Sequence, residues 1–245
     1  MRIDVLTMFP ALFNDFLASP VISRAVRKGA AEICLTDIKD HAAGSFRKID
    51  DSPYGGGPGC ILRCEPVIAA LETVRTEDVH VILFSPAGKT YDQQDARRLS
   101  RIEHLVLICG HYEGLDERII PYADEQLSLG DFILTGGEIP AMAVMDSVIR
   151  LFPESLKPEA SGEESFENGL LEYPQYTHPA EFRGACVPEV LLSGNHEAIA
   201  SWRLKEALRK TKKLRPDLLK DRILTEEEQR MLKEIGEEED RKSVV

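Results

Sequence analysis

Residues 80–109 read HVILFSPAGKTYDQQDARRLSRIEHLVLIC. An apolar run from His80 to Phe84 gives way to a helical pattern near Asp92 to Leu99, and a second apolar run follows from His104 to Cys109. Short runs of Val, Ile and Leu without polar alternation predict strands buried on both faces. A helix between two of them makes a crossover unit. Working outward, Ile3 to Phe9 and Glu32 to Leu35 repeat the strand pattern. Ser19 and Pro20 supply an N-cap and first residue for a helix that closes at Gly29, and Pro66 opens another. The expected fold is α/β on a parallel sheet.

Composition narrows the function classes. The 245 residues include 42 acids and 30 bases, for a net charge of −12, and are 43% hydrophobic and 29% charged, which excludes disorder as the main state. Five cysteines without a CxxC pair argue against a disulfide framework and for a reducing compartment. No apolar run reaches the roughly 20 residues that span a bilayer, and Met1-Arg2-Ile3-Asp4-Val5 lacks the apolar core of a signal peptide. The expectation is a cytoplasmic protein with no membrane partner. Net acidity counts against nucleic acid, whose phosphates are held by Lys and Arg, yet the charge is unevenly spread. Residues 203–215 hold seven cations against Glu206 alone, while 226–240 hold eight acids against Arg230 and Lys233. Both runs can be solvated helix faces; the basic one can also be a phosphate-binding strip.

The pattern changes after a helix around Pro140 to Leu151. Residues 153–165, with Pro153, Pro158, Gly162 and four glutamates, read as a linker between a 1–152 α/β domain and a 166–245 helical domain. From Glu189 onward the local signs are helical, with breaks at Gly194 and Pro216, and Thr225 with Glu228 forms a capping box for the last helix.

Three glycine-rich segments interrupt the α/β pattern. Tyr54-Gly55-Gly56-Gly57-Pro58-Gly59 lies in a long loop from about Asp40 to Arg63 that reads as far from any strand. It lacks the Lys-Ser/Thr of a phosphate loop; it is either a plain surface loop or a backbone brought close to a flat ligand. Cys109-Gly110-His111-Tyr112-Glu113-Gly114 follows a buried strand, where α/β sheets place ligands. His111 has no second ligand at metal spacing, and Cys60 and Cys64 lack zinc partners, so no metal site is read. In Ser128-Leu129-Gly130-Asp131-Phe132-Ile133-Leu134-Thr135-Gly136-Gly137-Glu138 the apolar centre reads as a strand ending in a glycine turn that feeds a helix. Backbone groups there could pair with the edge of an adenine ring. The residues alone lead to an α/β protein that binds a planar or nucleotide-like ligand.

These three segments, together with Asp116-Glu117-Arg118, Ser165-Phe166-Glu167-Asn168-Gly169-Leu170-Leu171-Glu172-Tyr173-Pro174 and Leu191-Leu192-Ser193-Gly194-Asn195-His196, resemble the bacterial tRNA (guanine-N1-)-methyltransferases, collinearly from Met1 to about Glu228. The resemblance implies the knotted SPOUT class, an exception to unthreaded connections, and a homodimer whose active sites are shared. It also implies methyl transfer from S-adenosylmethionine to N1 of guanosine 37 of tRNA, with magnesium as an optional partner. By that resemblance Ser85, Pro86, Gly110, Tyr112, Glu113, Ser128, Leu129, Gly130, Asp131, Phe132, Ile133, Leu134, Gly136 and Gly137 surround the cofactor. Pro58, Gly59 and Glu113 lie against the guanine, and Arg209, Lys210 and Lys212 hold tRNA.

The chemistry needs a base for the N1 proton and a cation for the charge that develops on O6. The resemblance assigns these to Glu164 and Arg150. The family pattern has aspartate where this chain has Glu164, and arginine where it has His178. Two alternatives stand beside this reading: a knotted RNA-binding protein without catalysis, and a methyltransferase of the same class acting on another RNA.

Overall fold

The computed structural model describes residues 1–44, 47–155, 164–220 and 222–243. The chain divides into two compact units, Met1–Pro158 and Glu159–Val245.

In the first unit, β1 (Arg2–Thr7) is followed by α1 (Asn14–Ala18), α2 (Pro20–Arg27) and β2 (Glu32–Asp37). Two short strands, β3 (Asp50–Asp51) and β4 (Ile61–Leu62), precede α3 (Cys64–Val74). Then come β5 (His80–Thr90), α4 (Gln93–Leu99), β6 (His104–Ile108), β7 (Glu125–Ser128) and α5 (Glu138–Ile149). Five strands form one sheet in the order β2-β1-β6-β5-β7, every pair parallel. The apolar runs are buried on both faces. Ile3, Val5, Ile82, Leu105 and Leu107 face one core with α5; Leu6, Val81, Leu83, Val106 and Ile108 face the other with α3. Each such fully buried side chain contributes about 1.5–3 kcal/mol.

Local signals act as the sequence requires. Asp92 caps α4 in a full capping box. Ser19 stands at the N-cap of α2 but makes no side-chain hydrogen bond there, so Pro20 alone sets that start. Strand β5 runs further than its apolar core because its register against β7 shifts between Phe84 and Lys89, throwing residues 85–88 out as a bulge. The bulge returns at Gly88, where a Cβ would come within 2.6 Å of the Gln126 and Leu127 backbone. Only glycine fits that approach.

The second unit begins, among its described residues, with a turn at 164–170 and an extended stretch carrying the hairpin β8 (Glu181–Phe182) and β9 (Ala185–Cys186). Helices follow from Glu189 as expected: α6 (Glu189–Leu192), α7 (His196–Leu214) and α8 (Glu226–Ser243). The box at the start of α8 is formed, with the Thr225 N–H donating to Glu228 Oε2 at 2.8 Å and the Glu228 N–H to Thr225 Oγ1 at 3.2 Å. Leu170, Ala207, Leu208, Met231 and Ile235 make this unit's own small core. Most of the expected linker, residues 156–163 with Glu163, lies outside the described residues.

Candidate active site

Beyond the C-terminal ends of three neighbouring strands, β6, β5 and β7, lies a cavity of about 590 Å³. The turn after β6 supplies Gly110, Tyr112 and Glu113, the bulge in β5 supplies Ser85 and Pro86, and the chain after β7 supplies Ser128, Leu129, Gly130, Phe132, Ile133, Leu134, Gly136 and Gly137. Segments distant in sequence converge because parallel strands all end on one side of the sheet. Asp131 is exposed and stands outside this lining.

The stretch from Leu129 to Thr135 is not the strand its apolar centre predicts. The strand is β7, just before it, and Phe132 and Ile133 are exposed at 55% and 82%. The run of apolar residues serves a cavity wall rather than the core, so its β pattern finds no neighbouring strand to pair with. The backbone instead folds on itself, with Ser128 Oγ accepting from the Gly130 N–H at 3.1 Å.

At the far end of this loop the Gly137 N–H donates to the Gly110 carbonyl at 2.8 Å, and His111 bridges to Gly136. A Cβ on Gly137 would stand 2.6 Å from the Cys109 α-carbon, and one on Gly136 would collide with Glu138 and His111. The two glycines thus let this turn pack directly on the turn after β6, and both line the cavity.

The Tyr-Gly-Gly-Gly-Pro-Gly loop is also placed differently from expectation. It is strung between β3 and β4, which pair with each other, so it is anchored by strands at both ends. The Glu113 N–H donates to the Cys60 carbonyl at 3.1 Å and Ile61 bridges to Tyr112, whose φ is +62°. Gly59 packs on the Glu113 side chain. Pro58 is exposed beside it. Two-residue strands carry too little pattern to be read from sequence.

The chain matches the family described as tRNA (Guanine-1)-methyltransferase TrmD over residues 1–221. It belongs to that family. Among its relatives, the tRNA (guanine-N(1)-)-methyltransferase of Geobacillus kaustophilus (strain HTA426) is 50% identical over 96% of this chain and 98% of the relative. The proteins of the same name from Dictyoglomus turgidum and Streptococcus gordonii are each 48% identical, the first over 97% of this chain and 98% of its own length, the second over all of both. The α/β unit is of the family's SPOUT type.

Within this methyltransferase family member the two residues assigned to chemistry stand in different units. Arg150 closes α5 at its C-cap in the first. Glu164 opens the second, where its carbonyl accepts from the Glu167 N–H at 3.2 Å and the Phe166 N–H reaches the Leu170 carbonyl at 2.8 Å. The Glu172 N–H donates to Ser165 Oγ at 2.9 Å, which pins the neighbour of Glu164. Glu164 lines a second cavity of about 410 Å³, together with Asn168, Tyr173, His196 and Arg203, whose guanidinium lies 4.7 Å from the Tyr173 ring centre.

The basic run is not a bare strip. Arg209 pairs with Glu238 at 2.8 Å and Glu206 at 3.0 Å, Lys212 pairs with Glu239 at 2.7 Å, and Lys205 pairs with Glu234 and Glu238. Lys210 Nζ donates to the Glu172 carbonyl at 3.0 Å. The acidic run of α8 therefore zips onto one stripe of α7. Hydrogen bonds from Lys205 and Arg209 hold the Glu238 carboxyl down at about 2. Sequence reading treated the two charged runs separately because spacing along a chain does not show which helices pack.

The sequence patterns gave no sign that Thr7 pairs with Glu138. Thr7 and Glu138 are buried polar residues that touch at 2.8 Å. Such pairs carry no local pattern when 131 residues separate the partners.

No described helix is long and apolar enough to cross a membrane.

Proposed function

We propose that this chain transfers the methyl group of S-adenosylmethionine to N1 of the guanosine at position 37 of tRNA. The carrying observation is the cavity beyond β6, β5 and β7, lined by the turns expected for the cofactor in a chain of this family. Residues 128–130 and 132–137 of its lining, with Gly110, would hold the adenosine group. Bound there, S-adenosylmethionine supplies an electrophilic methyl group on a sulfonium sulfur.

The chain's own residues supply the rest. Gly59 and Glu113 hold the guanine. Glu164 accepts the N1 proton, which a carboxylate in hydrogen-bond reach can do at neutral pH. Arg150 steadies the negative charge that grows on O6. From the family resemblance, we read the active protein as a homodimer with shared sites. The unit from Glu159 onward carries the tRNA contacts, Lys210 among them, in the cytoplasm. Among the described residues no three His, Cys, Asp or Glu side chains converge as a metal site.

Labelled S-adenosylmethionine with total tRNA tests the proposal. The expected product is N1-methylguanosine at position 37. Label at another nucleotide, or on ribosomal RNA alone, overturns it, and tRNA binding without label supports a protein that only binds RNA.

A further inference from the structure

The first residue of α5, Glu138, is 5% exposed, and its partner Thr7, at the end of β1, is fully buried. Thr7 Oγ1 donates to Glu138 Oε1 at 2.8 Å and accepts from the Phe9 N–H at 3.0 Å. Among the described residues no lysine or arginine pairs with this carboxylate. The other carboxylate oxygen, Oε2, lies against the α-carbon of Gly136, on the side where a Cβ would collide with it and with His111 Nδ1. His111 Nδ1 is itself buried without a hydrogen-bond partner among the described residues. Gly136 and His111 line the cofactor cavity and Glu138 does not. A carboxylate thus sits just behind one wall of that cavity, held by one hydroxyl and the N-terminal end of α5.

An ion buried without a basic partner is costly even with these contacts. A glutamine or methionine would fill the same space. The cost is recovered if a positive charge enters the cavity, because Coulomb attraction acts through the wall without contact. Under the proposed function the ligand that arrives is a sulfonium cation and the one that leaves is a neutral thioether. Shape hardly separates them; charge does.

We infer that Glu138 makes this cavity discriminate by charge, favouring the cationic methyl donor over its demethylated product. It is a specificity residue acting through the Gly136 wall, and the inference rests on the cofactor reading above. Its effect is to weaken retention of the spent cofactor. The Thr7 hydroxyl holds the carboxylate in place.

Calorimetry on the full chain tests this with three probes: S-adenosylmethionine, S-adenosylhomocysteine, and the analogue that carries a protonated amine in place of the sulfonium. Glu138→Gln should shift the ratio of neutral to cationic dissociation constants by about tenfold toward the neutral ligand. A tenfold change is what Coulomb's law gives for any two unit charges about 12 Å apart at an effective dielectric near 20. Both cations should respond alike, since they share the positive charge although only the sulfonium is a methyl donor. A merely structural role would weaken all three ligands equally and leave the ratio unmoved, which overturns the inference. Glu138→Met reads the same ratio should the glutamine variant fail to fold, because an apolar chain of similar length suits a buried position. Thr7→Val, which keeps the charge, should preserve the ratio. His111→Asn should leave it within about twofold; a large rise would show that the imidazole already neutralises Glu138 and would also overturn the inference. Failure of wild type to bind any of the three probes counts against the cofactor reading itself.

Discussion

Gly59 packs its α-carbon directly on the side chain of Glu113: a Cβ at that position would stand 2.6 Å from Glu113 Cγ. The contact joins a glycine loop to the turn after β6 across more than fifty residues of chain. With φ at +74°, Gly59 also holds a backbone conformation that side chains rarely adopt.

Gly59→Ala should therefore displace Glu113 and strain the loop, at a cost of roughly 1 kcal/mol for the backbone alone. The expected outcome is a raised KM for tRNA with cofactor affinity within a few-fold of wild type. Calorimetry and steady-state kinetics separate the two. Unchanged KM in a folded variant removes this contact from the guanine site.

At the other glycine turn, Gly136→Ala forces Glu138 or His111 to move, and with His111 the cavity wall shifts. Cofactor binding should weaken at least tenfold, by about 1.4 kcal/mol or more. Thermal unfolding should shift little, because the turn is at the rim of the sheet and not in its core. Titration with S-adenosylmethionine checks this, and Gly136→Val should be worse.

The proposed division of chemistry between Arg150 and Glu164 gives a kinetic test. Glu164→Gln should lower kcat by about 100- to 10,000-fold, the usual loss for a general base, while cofactor affinity stays near wild type. Glu164→Asp restores the family's residue and should keep or raise activity. Arg150→Ala should lower kcat without altering cofactor affinity. Single-turnover methylation at the wild-type rate in Glu164→Gln would assign the base elsewhere.

The pairing of α7 with α8 changes what charge substitutions mean. Replacing Glu234, Glu238 and Glu239 together with glutamine releases Lys205 and Lys212 from these carboxylates and leaves Arg209 with Glu206. Binding to tRNA should tighten. The slope of log affinity against log salt should steepen by on the order of one unit for each cation that then meets a phosphate. An unaltered slope would mean that this stripe of α7 faces away from tRNA.

The same zipper predicts an acid-side response. Lys205, then Arg209, depress Glu238 from its ordinary 4.5 to about 2, so the stability it contributes is present above pH 4.5 and lost as pH falls through about 2. Lys205 lowers Glu234 and Lys212 lowers Glu239 in the same direction. Helicity followed by circular dichroism should decline across that window. In Glu238→Gln the decline should be shallower and the neutral-pH stability slightly lower; because the carboxylate is 40% exposed, solvent screens most of the effect.

What the sequence by itself determined is whatever rests on local pattern. The buried strands near Ile3, His80 and His104 were legible because a two-sided parallel strand must be apolar throughout. The starts of α4 and α8 were legible because a cap needs a particular side chain at a particular position. The three glycine segments were legible as chemistry, and their likeness to a known family named the reaction before any geometry. Tertiary structure alone decided the rest. Phe132 and Ile133 looked like strand residues and line a cavity, since hydrophobicity does not say whether a partner is protein or ligand. Residues 226–240 looked like a solvated acidic run and instead partner α7. Thr7 and Glu138 carried no signal at all, because a single buried hydrogen bond between a strand end and a helix start depends only on how the chain packs, and packing is a property of three dimensions.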